Sequence, residues 1–395
     1  MRDEADERRP TILRVTLENF LSFKSSQIEL GRLTVLVGPN GSGKTNLLKT
    51  FAFLGEVARI DLPAAVEQFG GVAALRWRAA RPFDNIVIKL DALLTEHASA
   101  RAPDKYELQF KELGPFIQRE ERFTFKRVKG KGRRITLSGS ELTISGRGRS
   151  LQLSERTSGL ATLRKLGEQY EAPQVDQLAS ILENFRVVEI DDRAARRPAP
   201  RRKGERLRAD AANLANVLAE LKEHEPETFE ALQEDVATVL PGFEGLELRP
   251  IAGAEEGVEV RIRERGLPGS TPLSAASFGT IRALALFALL HDPDPPALTC
   301  IEEIDHGLHP YALDRIVERL REASQRTQIL VATHSPALVN RLEPEELRIF
   351  ERDVERGCTR IVARDPKELA RAMKESELRL GELWFSGTLG GVPDA

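Results

Sequence analysis

One octapeptide constrains this chain more than any other feature: Gly38-Pro-Asn-Gly-Ser-Gly-Lys-Thr45. It satisfies the spacing G-x-x-x-x-G-K-[S/T] and sits where the rule demands, between a strand and a helix. Before it, residues 12–37 alternate apolar and polar as two or three short strands ending at Val37. After it, Leu47, Leu48, Phe51 and Leu54 repeat at helical spacing. Glycines here let successive backbone N–H groups converge on phosphate oxygens, and the helix N-terminus adds positive potential. Gly38, Pro39, Asn40, Gly41, Ser42, Gly43, Lys44, Thr45 and Asn46 are therefore expected to cradle a phosphate chain. Lys44 is placed to reach its outer phosphates, and Thr45 to offer a hydroxyl to a divalent metal.

Three further elements carry chemistry. Ala297-Leu-Thr-Cys-Ile-Glu302-Glu303 reads as a buried strand ending in two carboxylates. Glu302 is assigned to Mg²⁺ and Glu303 to orienting an attacking water, the division of labour in phosphoryl transfer. Ser277-Phe-Gly-Thr280 precedes an apolar helix, so the Ser277 hydroxyl and the Gly279 amide stand at an anion-attracting helix start. His334 follows the strand-like QILVA, 31 positions after Glu303, at what should be a neighbouring strand tip. Ligands of open α/β sheets collect at such tips, and His334 is expected to approach a γ-phosphate.

Around these elements the chain reads as an α/β protein. Short β-like segments run from about Asp84 to Leu153 and read as an antiparallel sheet, residues 160–182 look helical, and 185–191 resembles a strand. Residues 212–240 are helical with a break at Pro226, and 245–265 alternate again. From Ser274 onward helix and strand alternate, the wiring of a parallel sheet. The longest apolar run, 283–290, is far too short for a bilayer span. The charged, mixed-sign N-terminal decapeptide is unlike a signal or transit peptide. Two cysteines, Cys300 and Cys358, exclude a disulfide scaffold, and His306 and His309 have no Cys partner for a metal set. A cytoplasmic protein without membrane contact is expected.

The four elements occur in the order and spacing of the ABC-type ATPase head. ILRVTLENFLSFKSSQIELGRLTVLVGPNGSGKTNLL closely resembles the RecF and SMC branch of that family. The SFGTIR, EEIDHGLHP and ATHSP segments are similar to prokaryotic AAA-family predicted ATPases, including the ATPase part of OLD-family nucleases and ATPases of phage-defence operons. The resemblance implies a P-loop head with a mixed sheet and an inserted α+β lid. The expected segmentation is an N-terminal lobe over 1–55, a lid or arm over 56–270, a C-terminal lobe over 271–350 and a tail over 351–395. It also implies ATP and Mg²⁺ as cofactors and a head-to-tail homodimer. In that dimer Ser277 and Gly279 form a divergent signature motif that contacts the nucleotide of the opposite subunit. Glu302 and Glu303 then correspond to Walker B and the catalytic glutamate, His334 to the switch histidine, and Lys44 to the catalytic lysine of the loop. Residues 306–310 occupy the D-loop place. Gln109 is a candidate Q-loop residue and equally a residue of a sheet surface.

Roughly 220 residues separate the first helix from Ser277, too few and too irregular for long coiled-coil arms. No acidic nuclease cluster follows His334, and no further histidine does, so a nuclease or toxin effector would be a separate chain. Net charge is only −3, but the stretch from Arg193 to Arg208 holds seven Arg and one Lys against one Glu. A weaker basic block spans 119–134. The first stretch is either a solvated loop or a phosphate-contacting arm. Two functional classes follow: an ATPase in a DNA-linked process such as repair or phage defence, or an ATP switch that licenses a separate effector.

Overall fold

The computed structural model describes residues 9–126, 132–145, 150–152, 160–161, 173–251 and 257–390. β1 (Thr11–Phe20), β2 (Phe23–Glu29) and β3 (Leu33–Val37) are the strands expected before the glycine-rich turn, and α1 (Lys44–Arg59) is the helix after it. β4 (Ile86–Leu93), β5 (Asp104–Leu113), β6 (Phe116–Phe125), β7 (Arg133–Ser138), β8 (Glu141–Ile144) and β9 (Ser150–Gln152) form the antiparallel meander read from the sequence. They continue the β1–β2 ribbon into one outer sheet, ordered β2-β1-β4-β5-β6-β7-β8-β9. Of the helix expected over 160–182, residues 162–172 lie outside the described residues, and Pro173–Glu183 is a helix.

A second sheet holds the core. β10 (Arg186–Val188) is its edge strand, shorter than the 185–191 expected from sequence. The chain then crosses a short helix, Asp192–Ala195, and β11 (Ala199–Pro200), so the basic stretch is not wholly loop. Beyond two helices, β11 joins β12 (Phe243–Ile251), β13 (Gly257–Glu264) and β14 (Ser270–Pro272) in a small antiparallel sheet. β15 (Leu298–Glu302), β16 (Gln328–Thr333), β17 (Leu347–Asp353) and β18 (Cys358–Val362) complete the core sheet, ordered β10-β15-β16-β3-β17-β18. All its pairings are parallel except β17–β18. The sheet is mixed, as expected.

Every residue of β3 and β16 is buried, as both faces of the core sheet are covered. Strand alternation then divides the core. Leu36, Cys300, Leu330 and Ala332 face α1 and the outer sheet, whereas Val35, Val37, Ile301, Ile329 and Val331 face the helices behind. One of those helices, Phe278–Leu290, is buried on all sides from Ile281 onward, which suits its uniformly apolar sequence. Leu313–Ala323 instead buries only the stripe Leu313, Ile316, Val317, Leu320 and Ala323. Gln328, buried at the start of β16, ties the sheets together: its amide accepts from the Ile12 N–H at 2.9 Å and donates to the Ile12 and Gly31 carbonyls at 2.7 and 2.8 Å. No helix among the described residues is long and apolar enough to cross a membrane.

The expected break at Pro226 separates helices Leu214–His224 and Pro226–Val239, the proline opening the second where its missing N–H costs nothing. Asp235, 1% exposed, fastens this second helix to the core. It meets His291 Nε2 at 2.6 Å and Arg315 Nε at 2.7 Å, and accepts from Arg319 Nη2 at 3.1 Å. Burial pushes its carboxyl up, but hydrogen bonds from His291, Arg319 and Arg315 outweigh that and leave it below the ordinary 3.8. A depressed carboxylate stabilises the fold above its unfolded value, and that contribution is lost as pH falls through the native one. Asp235→Ala should therefore cost about 3–5 kcal/mol at neutral pH. In denaturant titrations the gap to wild type should narrow below pH 3.8; a neutral-pH gap under about 1 kcal/mol, the size of a surface pair, would refute the assignment.

Candidate functional site

The parallel register sets three chain exits side by side. Thr333 pairs with Val37, and Glu302 with Ala332, so the turn after β3, the Glu302–Glu303 tip and His334 all leave one edge of the sheet. Asn40, Gly41, Gly43, Lys44, Thr45, Asn46, Glu302, Glu303, Thr333 and His334 line a single cleft there. Gly38, Pro39 and Ser42 form the floor of the loop rather than the cleft wall. Ser277 and Gly279 do not line it. Gln109 does not either: it lies on β5, beside Asn85 and Glu107, as a sheet-surface residue.

The loop's shape is fixed by backbone that only glycine tolerates. At Gly43, φ is +106°, and a Cβ would stand 2.1 Å from Thr359 Oγ1 and 2.8 Å from Ser22 Oγ. At Gly41, φ is +77° and a Cβ would meet nothing within 4 Å, because that residue faces open space. Ser22 and Thr359, neither flagged by the motif, brace the loop from behind. Their hydroxyls are 2.7 Å apart, Thr359 Oγ1 donates to the Ser42 carbonyl at 2.8 Å, and Asn46 Nδ2 donates to Ser22 Oγ at 2.8 Å. Sequence reasoning had no signal for Thr359, which is 317 positions from Ser42.

Lys44 Nζ donates to the Gly38 and Pro39 carbonyls at 2.7 and 3.0 Å. Burial holds its ammonium below the ordinary lysine value, while Glu302 and Glu303 pull it partly back. The Thr45 hydroxyl donates to Glu302 Oε1. Two hard oxygen donors in direct contact beside a phosphate cradle fit Mg²⁺, which prefers few carboxylates and completes its shell with phosphate and water. The Ser42 hydroxyl is fully buried within the loop with no hydrogen-bond partner.

Glu303 takes the left-handed conformation, φ +49°, which a non-glycine residue adopts at a cost of about 1–2 kcal/mol. Its backbone is held from both sides: its N–H donates to the Ala332 carbonyl at 2.9 Å, and its carbonyl accepts from the His306 N–H at 3.1 Å. Its side chain is half exposed, with His306 Nδ1 at 3.6 Å. Asp305, also unflagged, accepts from the Thr333 hydroxyl and joins the two strand tips. His334 is exposed at the cleft wall. Ser277 is exposed at the helix start Phe278–Leu290, where its Oγ accepts from the Thr280 N–H at 3.2 Å.

This arrangement can be set against known proteins. The family model described as "AAA domain, putative AbiEii toxin, Type IV TA system" matches residues 33–340. The chain belongs to this AAA family. No curated protein matches it. Among solved structures, an SMC head bound to the C-terminal winged-helix domain of ScpA is 18% identical, with a TM-score of 0.55 over 92% of this chain and 99% of that one. An SMC head with an extended coiled coil, bound to the C-terminal domain of ScpA from Pyrococcus furiosus, is 17% identical, with a TM-score of 0.54 over 93% and 100%. The AAA-family member thus has the ABC-type ATPase head fold seen in these SMC heads.

Gly43→Ala adds at least about 1–2 kcal/mol of backbone strain before any clash is relieved. ATP affinity of the AAA-family chain, read by equilibrium titration, should fall roughly tenfold or more. Unchanged affinity would mean that this loop does not hold the phosphates.

Proposed function

We propose that the chain is a Mg²⁺-dependent ATPase, cleaving ATP with water to ADP and phosphate, whose two catalytic centres are completed across a head-to-tail homodimer. The observation that carries the reading is the single cleft joining Lys44, Thr45, Glu302, Glu303 and His334. Residues 38–46 hold the phosphates, their backbone amides serving as donors except at Pro39, which has no N–H, and Lys44 supplies fixed positive charge. Thr45 and Glu302 hold Mg²⁺, which when bound neutralises charge on the β- and γ-phosphates. Glu303, half exposed and aimed from a constrained backbone, orients the attacking water and takes its proton. His334 donates a hydrogen bond to the γ-phosphate. Ser277 and Gly279 serve the nucleotide of the second copy. In support, they stand at a helix start outside their own cleft, Ser277 exposed and Gly279 part-buried, with amides and dipole suited to an anion.

The cellular role proposed is a DNA-linked process in the cytoplasm, repair or phage defence, with the basic stretch from Arg193 to Arg208 as the contact. Part of that stretch is spoken for within the chain. Arg196 pairs with Asp192, Arg201 with Glu220 and Glu223, and Arg206 with Asp294. The contact therefore rests on Arg193, Arg197, Arg202, Lys203 and Arg208, which are exposed. In the 119–134 block Arg119 and Arg133 are buried, and residues 127–131 lie outside the described ones. This internal neutralisation favours a second reading, a switch that licenses a separate nuclease or toxin. The toxin-system description of the family, and SMC heads that carry a winged-helix partner, agree with it.

Steady-state ATP hydrolysis tests these readings. Glu303→Gln should abolish turnover and accumulate an ATP-bound dimer visible by gel filtration; a variant that stays monomeric with ATP would sink the shared site. Lys44→Ala should weaken nucleotide binding. Hydrolysis that rises with duplex DNA, in a salt-dependent way, and loses that response when the five exposed cations become alanine favours the DNA role. Indifference to DNA favours the partner-controlled switch.

A further inference from the structure

Arg282 lies one turn into the helix Phe278–Leu290, in a segment otherwise apolar, and is only 4% exposed. A cation costs free energy at such a position, and apolar residues of similar volume are often as stable or more so. Burial lowers its pKa, opposed in part by Glu303, Asp305, Asp192 and Glu189. Its hydrogen bonds, however, go to carbonyls. Nη2 donates to the Glu303 carbonyl at 2.5 Å and to the Glu302 carbonyl at 3.4 Å, and Nη1 to the Ile190 carbonyl at 3.2 Å. One planar group thereby joins the Ser277 helix, the double-carboxylate tip of β15 and the segment leading into the basic stretch.

The remaining contacts close the same knot. The Phe278 ring lies 5.9 Å from the Arg282 guanidinium carbon and 5.1 Å, edge to face, from the His306 ring. A Cβ on Gly307 would fall 2.0 Å from Phe278, so the chain after Glu303 passes tightly against this aromatic wedge. Glu303 itself carries the left-handed strain described above, and strain persists only where surroundings over-determine it. Of the groups binding its carbonyl, Arg282 is the side chain; the other donor is the backbone N–H of His306.

We infer that Arg282 is a positioning residue for hydrolysis: its guanidinium locks the Glu302–Glu303 carbonyls so that the Glu303 carboxylate stays aimed into the cleft, and it ties that aim to the helix bearing Ser277. The inference rests on the reading of Glu303 as the water-orienting carboxylate. Lysine cannot substitute, because a single ammonium lacks the planar fork that spans separated acceptors.

The test is Arg282→Met, which keeps volume and removes the fork, measured beside Arg282→Lys and Glu303→Gln. Arg282→Met should lose about 10–100-fold in kcat, the range for groups that orient a reacting one. KM and the equilibrium affinity for ATP should stay within about twofold of wild type, since the cleft lining is untouched. A merely structural role would lower Tm and leave kcat per folded molecule unchanged, and that result overturns the inference. So does a loss of ATP affinity in step with kcat. Should Arg282→Met fail to fold, Arg282→Lys, which keeps the charge, decides the matter by the same split. Glu303→Gln separates the two levels. If it turns over like wild type, or wild type turns over nothing, the reading of Glu303 fails and this inference with it. If it is inactive while the Arg282 variants run at full kcat, only this inference fails.

Discussion

The pairing of β16 with β3 on one side and β15 on the other is parallel and in register, so Val37, Thr333 and Glu302 end within one rung of each other. From that alignment follow the convergence of the glycine loop, the two carboxylates and His334 on one edge. A slip by one residue would turn the inward faces outward, exchanging Val35 and Val37 with Leu36 against two differently shaped cores. The site is thus protected by hydrophobic pattern rather than by its own polar contacts. Gln328 extends the same control to the outer sheet, because its amide satisfies the N–H and carbonyl of Ile12 and so fixes where β1 crosses the base of β16.

The loop needs a second support that the parallel strands do not provide. Its glycines permit the curvature, but permission is not rigidity: glycine has more conformations to lose than any other residue. The Ser22–Thr359–Asn46 hydroxyl and amide set confines it, joining the β1–β2 turn, β18 and α1 behind the phosphate cradle. The floor of the site is therefore contributed by both ends of the chain, and a head of this kind cannot be assembled from the motif-bearing segments alone.

What could be read from sequence and what could not divides along a physical line. The loop 38–45 was legible because strand, turn and helix are contiguous, and its residue types answer to one task. The double carboxylate and His334 were legible because each ends an apolar strand. The outer meander was legible from alternation. Ser22, Thr359 and Asp305 were not, since their partners lie far along the chain and their types are common in ordinary turns. Arg282 was visible within SFGTIR, but carbonyls are present at every residue, so no sequence pattern announces that three of them surround it. The short strand β10 was overestimated because the chain turns away after Val188 to pair Glu189 and Asp191 with Ala209 and Asp210, an irregular pairing that apolar periodicity cannot reveal.

Charge shows the same division in its sharpest form. A run of basic residues in sequence states how many cations are near each other along the chain, not what potential they present. Here the segment folds back along the helix Leu214–His224, whose acidic residues Glu220 and Glu223 meet Arg201, while Asp294 meets Arg206. Such exposed pairs add little to stability, yet they remove cations from any field a polyanion would feel, and that field governs encounter and salt dependence. Arg196 goes further: it reaches the Ser274 carbonyl at 3.2 Å, three residues before Ser277. Arg282, from the other side, holds Ile190. The basic segment and the residues that lead into it are consequently held on either side of Ser277, at Ser274 and at Arg282.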